Sequence, residues 1–143
     1  MLPSRYSLFC NKHQIAVMEK YLYIFRRYPL SLLAIAAIIF LTFYRTSGDA
    51  PSFPGLDKIA HFLMYATLCS IILFEYYRSH TIANASRIFW FAVIVPILFS
   101  GVMELSQGFF TSYRSGDFYD FLFNAAGVLV AAFSCILYKR SRR

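Results

Sequence analysis

Three short stretches place ionisable residues at helical spacing inside or beside apolar sequence. In GLDKIAHFLMYATL, Gly55 to Leu68, the residues Asp57, His61 and Tyr65 recur every four positions and share one face of a helix, with Lys58 beside the first. Glu104 and Gln107, three apart in MELSQGFF, close a long apolar run. RSGDFYDFLFNAAG contributes Arg114 and then Asp117, Asp120 and Asn124 at spacings of three and four, and Gly127 continues that face. These types support three kinds of chemistry. Lys58 and Arg114 suit an anionic group, with the acids holding the two cations in place. Carboxylates with one histidine form an oxygen-rich donor set for Mg²⁺, Mn²⁺ or Zn²⁺, where His61 or Glu104 would serve as general base and Arg114 would stabilise developing charge. Glu104 and His61 are also titratable groups that a proton-coupled carrier would need.

Each residue has an ordinary reading as well. Asp57 and Asp120 lie where helix N-caps are expected, Lys58 is placed to snorkel, and His61 and Tyr65 suit a packed interior. Arg114 with Asp117 would be a loop ion pair of small worth. Glu104 fits such a reading least, because it follows the run Ile88 to Met103 with no basic residue at helical spacing.

The elements that must position these residues follow from composition. Only 15% of the 143 residues are charged, against about a quarter in a soluble domain, and mean hydropathy is +0.54. The missing polar surface implies a lipid-facing one. Four apolar runs approach the roughly 20 residues that cross a bilayer as a helix: Tyr28 to Tyr44, about Lys58 to Tyr77, about Ile88 to Met103 and about Phe121 to Tyr138. Pro29 suits a helix start, and Pro96 and Gly101 predict a kink whose freed carbonyl a neighbouring helix satisfies. Gly127 and Ala131 offer a close-packing seam. The first run reads as an anchor rather than a cleaved signal peptide, and Met18 offers a second start.

Cys10, Cys69 and Cys135 form no CxxC and imply neither a disulfide framework nor a zinc site. Eleven of the fourteen Lys and Arg lie before the first run, between the second and third, or after the fourth, and Arg45, Lys58 and Arg114 lie on the opposite side. The positive-inside rule then puts both termini in the cytosol. The expected architecture is therefore all-α, an integral membrane bundle of four transmembrane helices. A basic juxtamembrane segment spans 1–27, the membrane domain 28–138 and a basic tail 139–143. The basic clusters face anionic lipid headgroups, and no nucleic-acid motif accompanies them.

Five of the seven acids, Asp49, Asp57, Glu104, Asp117 and Asp120, belong to the outer side. Polar stripes facing lipid would cost about 2.5–3.5 kcal/mol per charge at mid-helix, so the three outer helix ends are expected to face one another around a polar pocket or network. Together, and in this order, the three quoted segments resemble the signature segments of the VanZ-like family of small bacterial membrane proteins, over about Pro29 to Tyr138. The resemblance implies a multi-pass protein of the cytoplasmic membrane, with motif positions at Asp57, Lys58, His61, Tyr65, Glu104, Gln107, Arg114, Asp117, Asp120, Asn124 and Gly127. The founding member is associated with low-level resistance to the glycopeptide teicoplanin, by no established mechanism. This chain is shorter and differs in its N-terminal segment.

The reading favoured here is a non-enzymatic envelope protein whose outer pocket takes a membrane lipid, a lipid-linked cell-wall precursor or a glycopeptide tail. No cofactor and no bound metal is expected, no catalytic residue is assigned, and self-association into a homo-oligomer is left open. The alternative is a metal-dependent membrane hydrolase or transferase acting on a lipid phosphate. Transport ranks third, because four helices are few and no inverted repeat is visible.

Overall fold

The computed structural model describes residues 5–44, 55–80, 82, 84–110 and 117–142, except for the side chains of 5–13 and 20. These residues form five helices and no strand: α1 (Arg5–Arg27), α2 (Pro29–Phe43), α3 (Leu56–Ser79), α4 (Ala85–Phe110) and α5 (Phe118–Ser141). The all-helical expectation is met. Helices α3, α4 and α5 have 24, 26 and 24 residues and are apolar enough to cross a membrane; at 1.5 Å per residue each spans more than the ~30 Å of hydrocarbon. Their outward faces carry exposed Leu63, Phe74, Leu98, Leu105, Val130 and Phe133, while buried positions include His61, Glu75, Glu104, Asp120 and Asn124. A soluble protein would not tolerate so much exposed apolar surface, and a lipid-embedded one requires it.

The first apolar run differs from the other three. It forms the 15-residue α2, at an angle of 86° to the Gln14–Arg27 part of α1. Fifteen residues reach ~22 Å, short of the hydrocarbon thickness, so this helix is long enough to cross only when joined to α1 as a broken span. The bend has a local cause: Pro29 disfavours helical backbone at the residue before it, and Tyr28 adopts φ −130° and ψ 45°. Helix α1 carries an exposed stripe of Val17, Met18, Tyr21, Leu22 and Phe25, the helical spacing of an amphipathic face.

Two buried polar contacts fix α2 to the bundle. At its start the Glu75 carboxylate of α3 accepts from the backbone N–H of Leu30 (2.8 Å) and of Ser31 (3.0 Å), and from the Ser31 hydroxyl (2.5 Å). Those N–H groups have no partner within α2, and the helix dipole favours a carboxylate there. Near its end, Gln107 Nε2 of α4 donates to the Thr42 carbonyl at 3.1 Å. A third contact repairs α4. Its stretch Phe89–Ile94 is π-helical, with Val95 N–H bonded to Trp90 O five residues back. Pro96 has no N–H to offer the Ala92 carbonyl, and Cys69 Sγ of α3 donates to that oxygen at 3.1 Å. The expected rescue of a proline-freed carbonyl by a neighbouring helix is thus present.

Glu75→Ala would strand the buried N–H and hydroxyl of Ser31 and the part-buried N–H of Leu30. Unfolding in detergent should show a loss of at least about 2 kcal/mol, with Glu75→Gln losing less; equal stability of Glu75→Ala and the parent would refute the anchoring role.

Candidate functional site

The site is built where α3 begins, α4 ends and α5 begins. Gly55 (φ 87°) precedes α3 in a left-handed conformation that a glycine adopts without strain. At the start of α5 the N-cap is Asp117, whose Oδ1 accepts from Tyr119 N–H at 2.9 Å. The cap expected at Asp120 is therefore three residues earlier, and Asp120 instead turns inward and is buried. Asp57 lies in the first turn of α3, with Gly55 in the cap position.

The separation of α3 and α5 is set by Gly127. A Cβ there would stand 2.3 Å from the Phe62 carbonyl oxygen and 3.2 Å from the Ala66 nitrogen of α3. No residue larger than glycine permits that approach. Asn124 lies three residues before Gly127, and His61 one before Phe62, so the contact brings both into hydrogen-bonding range.

His61 is the hub. Its Nδ1 lies 3.2 Å from Asn124 Oδ1 and 3.5 Å from Glu104 Oε1, and its Nε2 lies 3.7 Å from Asp120 Oδ2 and 3.9 Å from Asp57 Oδ1. Asn124 Nδ2 donates to Glu104 Oε1 at 3.1 Å. With the Asn124 amide nitrogen used in that way, its oxygen accepts, and the shared proton belongs on His61 Nδ1. The imidazole then presents Nε2 to the two aspartates. Ligand atoms of Asp57, His61 and Asp120 lie within 4.8 Å of one another, a donor set of a kind that holds divalent cations.

Lys58 forms the outer layer, with Nζ 3.4 Å from Asp117 Oδ2, 3.5 Å from Asp120 Oδ1 and 5.6 Å from the centre of the Tyr119 ring. The Tyr119 N–H, with Lys58 beside it, holds the Asp117 carboxyl below the usual carboxylate range.

The structure therefore gathers Asp57, Lys58, His61, Glu104, Asp117, Asp120 and Asn124 into one cluster. Gln107 is buried and reaches the α2 carbonyl described above. Tyr65 is buried one turn below His61, its ring 6.3 Å from that of Phe99 and its hydroxyl without a hydrogen bond among the described residues. Arg114 lies outside the described residues. Glu75 escaped sequence reasoning: it stands three residues before Arg78, the pattern of an ordinary surface pair, and the pairing of its carboxylate with Ser31 is long-range.

A family model described as VanZ/LLP1 matches residues 2–139, nearly the whole chain. No curated protein and no solved structure matches.

Two outcomes test the geometry. Gly127→Ala must push the α3 and α5 backbones apart by about 1 Å; it should cost about 2 kcal/mol and abolish the His61–Asn124 bond, and a parent-like melting temperature would contradict the seam. Because the Asp117 pKa is lowered, its contribution is present above the ordinary carboxylate range and fades as pH falls through the lowered value. Asp117→Asn, which still caps, should melt with a shallower decline between about pH 5 and 3 than the parent; identical pH profiles would contradict this.

Proposed function

The chain belongs to the VanZ/LLP1 family, and on that footing we propose that it is a four-span protein of the bacterial cytoplasmic membrane with both termini in the cytosol. In this reading α2 is a short first span entered from a surface-lying α1, residues 28–138 are the membrane domain, and 1–27 and 139–143 are its basic cytosolic flanks. The distribution of Lys and Arg supports this orientation, and it puts Asp57, Glu104 and Asp120 at the extracytoplasmic ends of their helices.

The function proposed is recognition of an anionic head group on an amphiphilic or lipid-linked molecule of the outer leaflet. One observation carries it: side chains from three helices turn toward one another at a single end of the bundle, and the half-buried Lys58 ammonium stands at the rim between Asp117 and Asp120. Charge is costly at that depth, and a bundle needing only stability would place apolar residues there. Lys58, together with Arg114, which the charge pattern of the sequence puts on the same side of the membrane, supplies positive charge for a phosphate or pyrophosphate, and the surrounding helix faces accept acyl or prenyl chains. A cell-wall precursor has this chemistry, and an acylated glycopeptide such as teicoplanin shares its amphiphilic part. Occupancy of the site by either is how glycopeptide resistance would arise without catalysis. The competing reading, a metal-dependent hydrolase or transferase on a lipid phosphate, draws on the proximity of Asp57, His61 and Asp120.

Purified protein in detergent, mixed with a polyprenyl phosphate, phosphatidylglycerol or phosphatidylcholine, separates these readings by native mass spectrometry. The phosphate monoester should be retained over phosphatidylcholine, and Lys58→Gln should weaken it by about tenfold, or ~1.4 kcal/mol. Equal retention of all three lipids would overturn the head-group reading, and release of inorganic phosphate would favour the enzyme.

A further inference from the structure

We infer that the end of the bundle opposite His61 holds a site for one anionic phospholipid of the cytosolic leaflet, with an acyl chain in a cavity between helices and the phosphate diester at Arg87. The choice of leaflet rests on the orientation proposed above, while the site shares no residue with the cluster around His61.

The cavity has a volume of about 640 Å³ and is walled by residues of α1, α2, α3 and α4, within the ~300–1,000 Å³ typical of small-molecule sites. The 86° bend before α2 lets α1 add Tyr23 and Ile24 to a wall shared with the other three helices. Polarity is graded along the cavity. Tyr28 precedes α2, His80 follows α3 and Arg87 lies in the first turn of α4, so three helices put polar side chains at one mouth. One to two turns into each helix the lining is apolar: Leu32 and Ile35 of α2, Ile72 of α3, and Phe91 and Ala92 of α4. A polar mouth over an apolar interior matches an amphiphile, and a water-soluble anion would have no use for the interior.

The mouth is held in place by hydrogen bonds. The Tyr76 hydroxyl accepts from the Asn84 N–H at 3.2 Å, and Asn84 Oδ1 accepts from the Arg87 N–H at 3.1 Å. Helix α3 thereby sets where α4 starts and where Arg87 stands. His80 stacks on Tyr76 with 4.4 Å between ring centres, and its Nδ1 donates to the Tyr76 carbonyl at 3.1 Å.

The mouth is also basic. Arg27 brings a second guanidinium: it donates to the Ser79 carbonyl at 2.7 Å and stands 5.2 Å from the centre of the Tyr23 ring. No acidic residue lines the cavity among the described residues. Glu75 reaches Ser31 on its wall, and its carboxylate is committed to the start of α2. Among the described residues Arg87 takes part in no ion pair. A guanidinium matches phosphate oxygens in pairs, and a basic pocket between helices on the cytosolic side recognises an anionic head group.

The test mixes the full chain in detergent with phosphatidylglycerol or phosphatidylcholine of identical acyl chains and reads retention by native mass spectrometry. One phosphatidylglycerol should be retained in preference to phosphatidylcholine. Arg87→Gln, at an exposed position, should weaken that retention about fivefold while melting as the parent does. Leu32→Trp, which fills the cavity, should weaken retention of both lipids where it folds. Lys139→Gln removes a positive charge at the same end, from a side chain held over the Tyr77 ring, and should change nothing. Equal retention of the two lipids by the parent, unchanged retention in Arg87→Gln, or an equal loss in Lys139→Gln overturns the site; the last would mean diffuse attraction to the basic end. Lys58→Gln separates this site from the head-group reading, since it should weaken polyprenyl phosphate and spare phosphatidylglycerol. Loss of phosphatidylglycerol in Lys58→Gln but not in Arg87→Gln overturns this inference and leaves the head-group reading standing.

Discussion

Hydrocarbon offers no hydrogen bonds, so polar groups that a helix cannot satisfy within itself are best answered from another helix. That constraint organises the bundle. Glu75 of α3 answers the first N–H groups of α2, Gln107 of α4 answers a carbonyl near the end of α2, and Cys69 of α3 answers the carbonyl that Pro96 leaves in α4. The same demand joins His61, Asn124 and Glu104, one residue from each of α3, α5 and α4. Apolar contact alone discriminates poorly between helix pairs in lipid, because acyl chains are as apolar as leucine. The polar contacts supply the register.

The two ends of the bundle use polarity differently. Near Glu75 the acceptors and donors match, and the result is a closed fastening of the short α2. At the opposite end, among the described residues, four carboxylates and an ammonium are assembled around the His61 imidazole, more charge than a fastening needs. Its depth increases inward from Asp57 and Lys58 at the rim to Asn124, which is fully buried. Gly127 controls this end because it lets the α3 and α5 backbones touch, and a wider gap would leave Asn124 and His61 each without the other. The graded exposure and the charged groups gathered from three helices are the features on which the proposed binding role rests.

Much of this was legible in the sequence because helical spacing is a direct readout of which side chains share a face. Asp57 with His61, and Asp120 with Asn124, were assigned to common faces, and the structure turns those faces toward each other. The run boundaries came out short by a few residues at the ends of α3, α4 and α5, since interfacial polar residues continue a helix that hydropathy ends. Caps were harder. Asp117 and Asp120 are both plausible N-caps from spacing alone, and only the turn geometry gives the role to Asp117. Glu75 was not legible at all, because its partners are 44 and 45 residues away and no local pattern encodes them. The shortness of α2 was hidden for a related reason: Tyr28 to Tyr44 has a span's composition, and its reach depends on where the chain bends.

The convergence of α3 and α5 at His61 and Asn124 is tested most directly by a double-mutant cycle. Unfolding free energies of the parent, His61→Leu, Asn124→Leu and the double variant would be measured in bicelles. A coupling of about 0.5–1.7 kcal/mol is predicted for a hydrogen bond between membrane helices. Additive effects, with no coupling beyond error, would mean that these side chains do not meet, and the site would lose its centre.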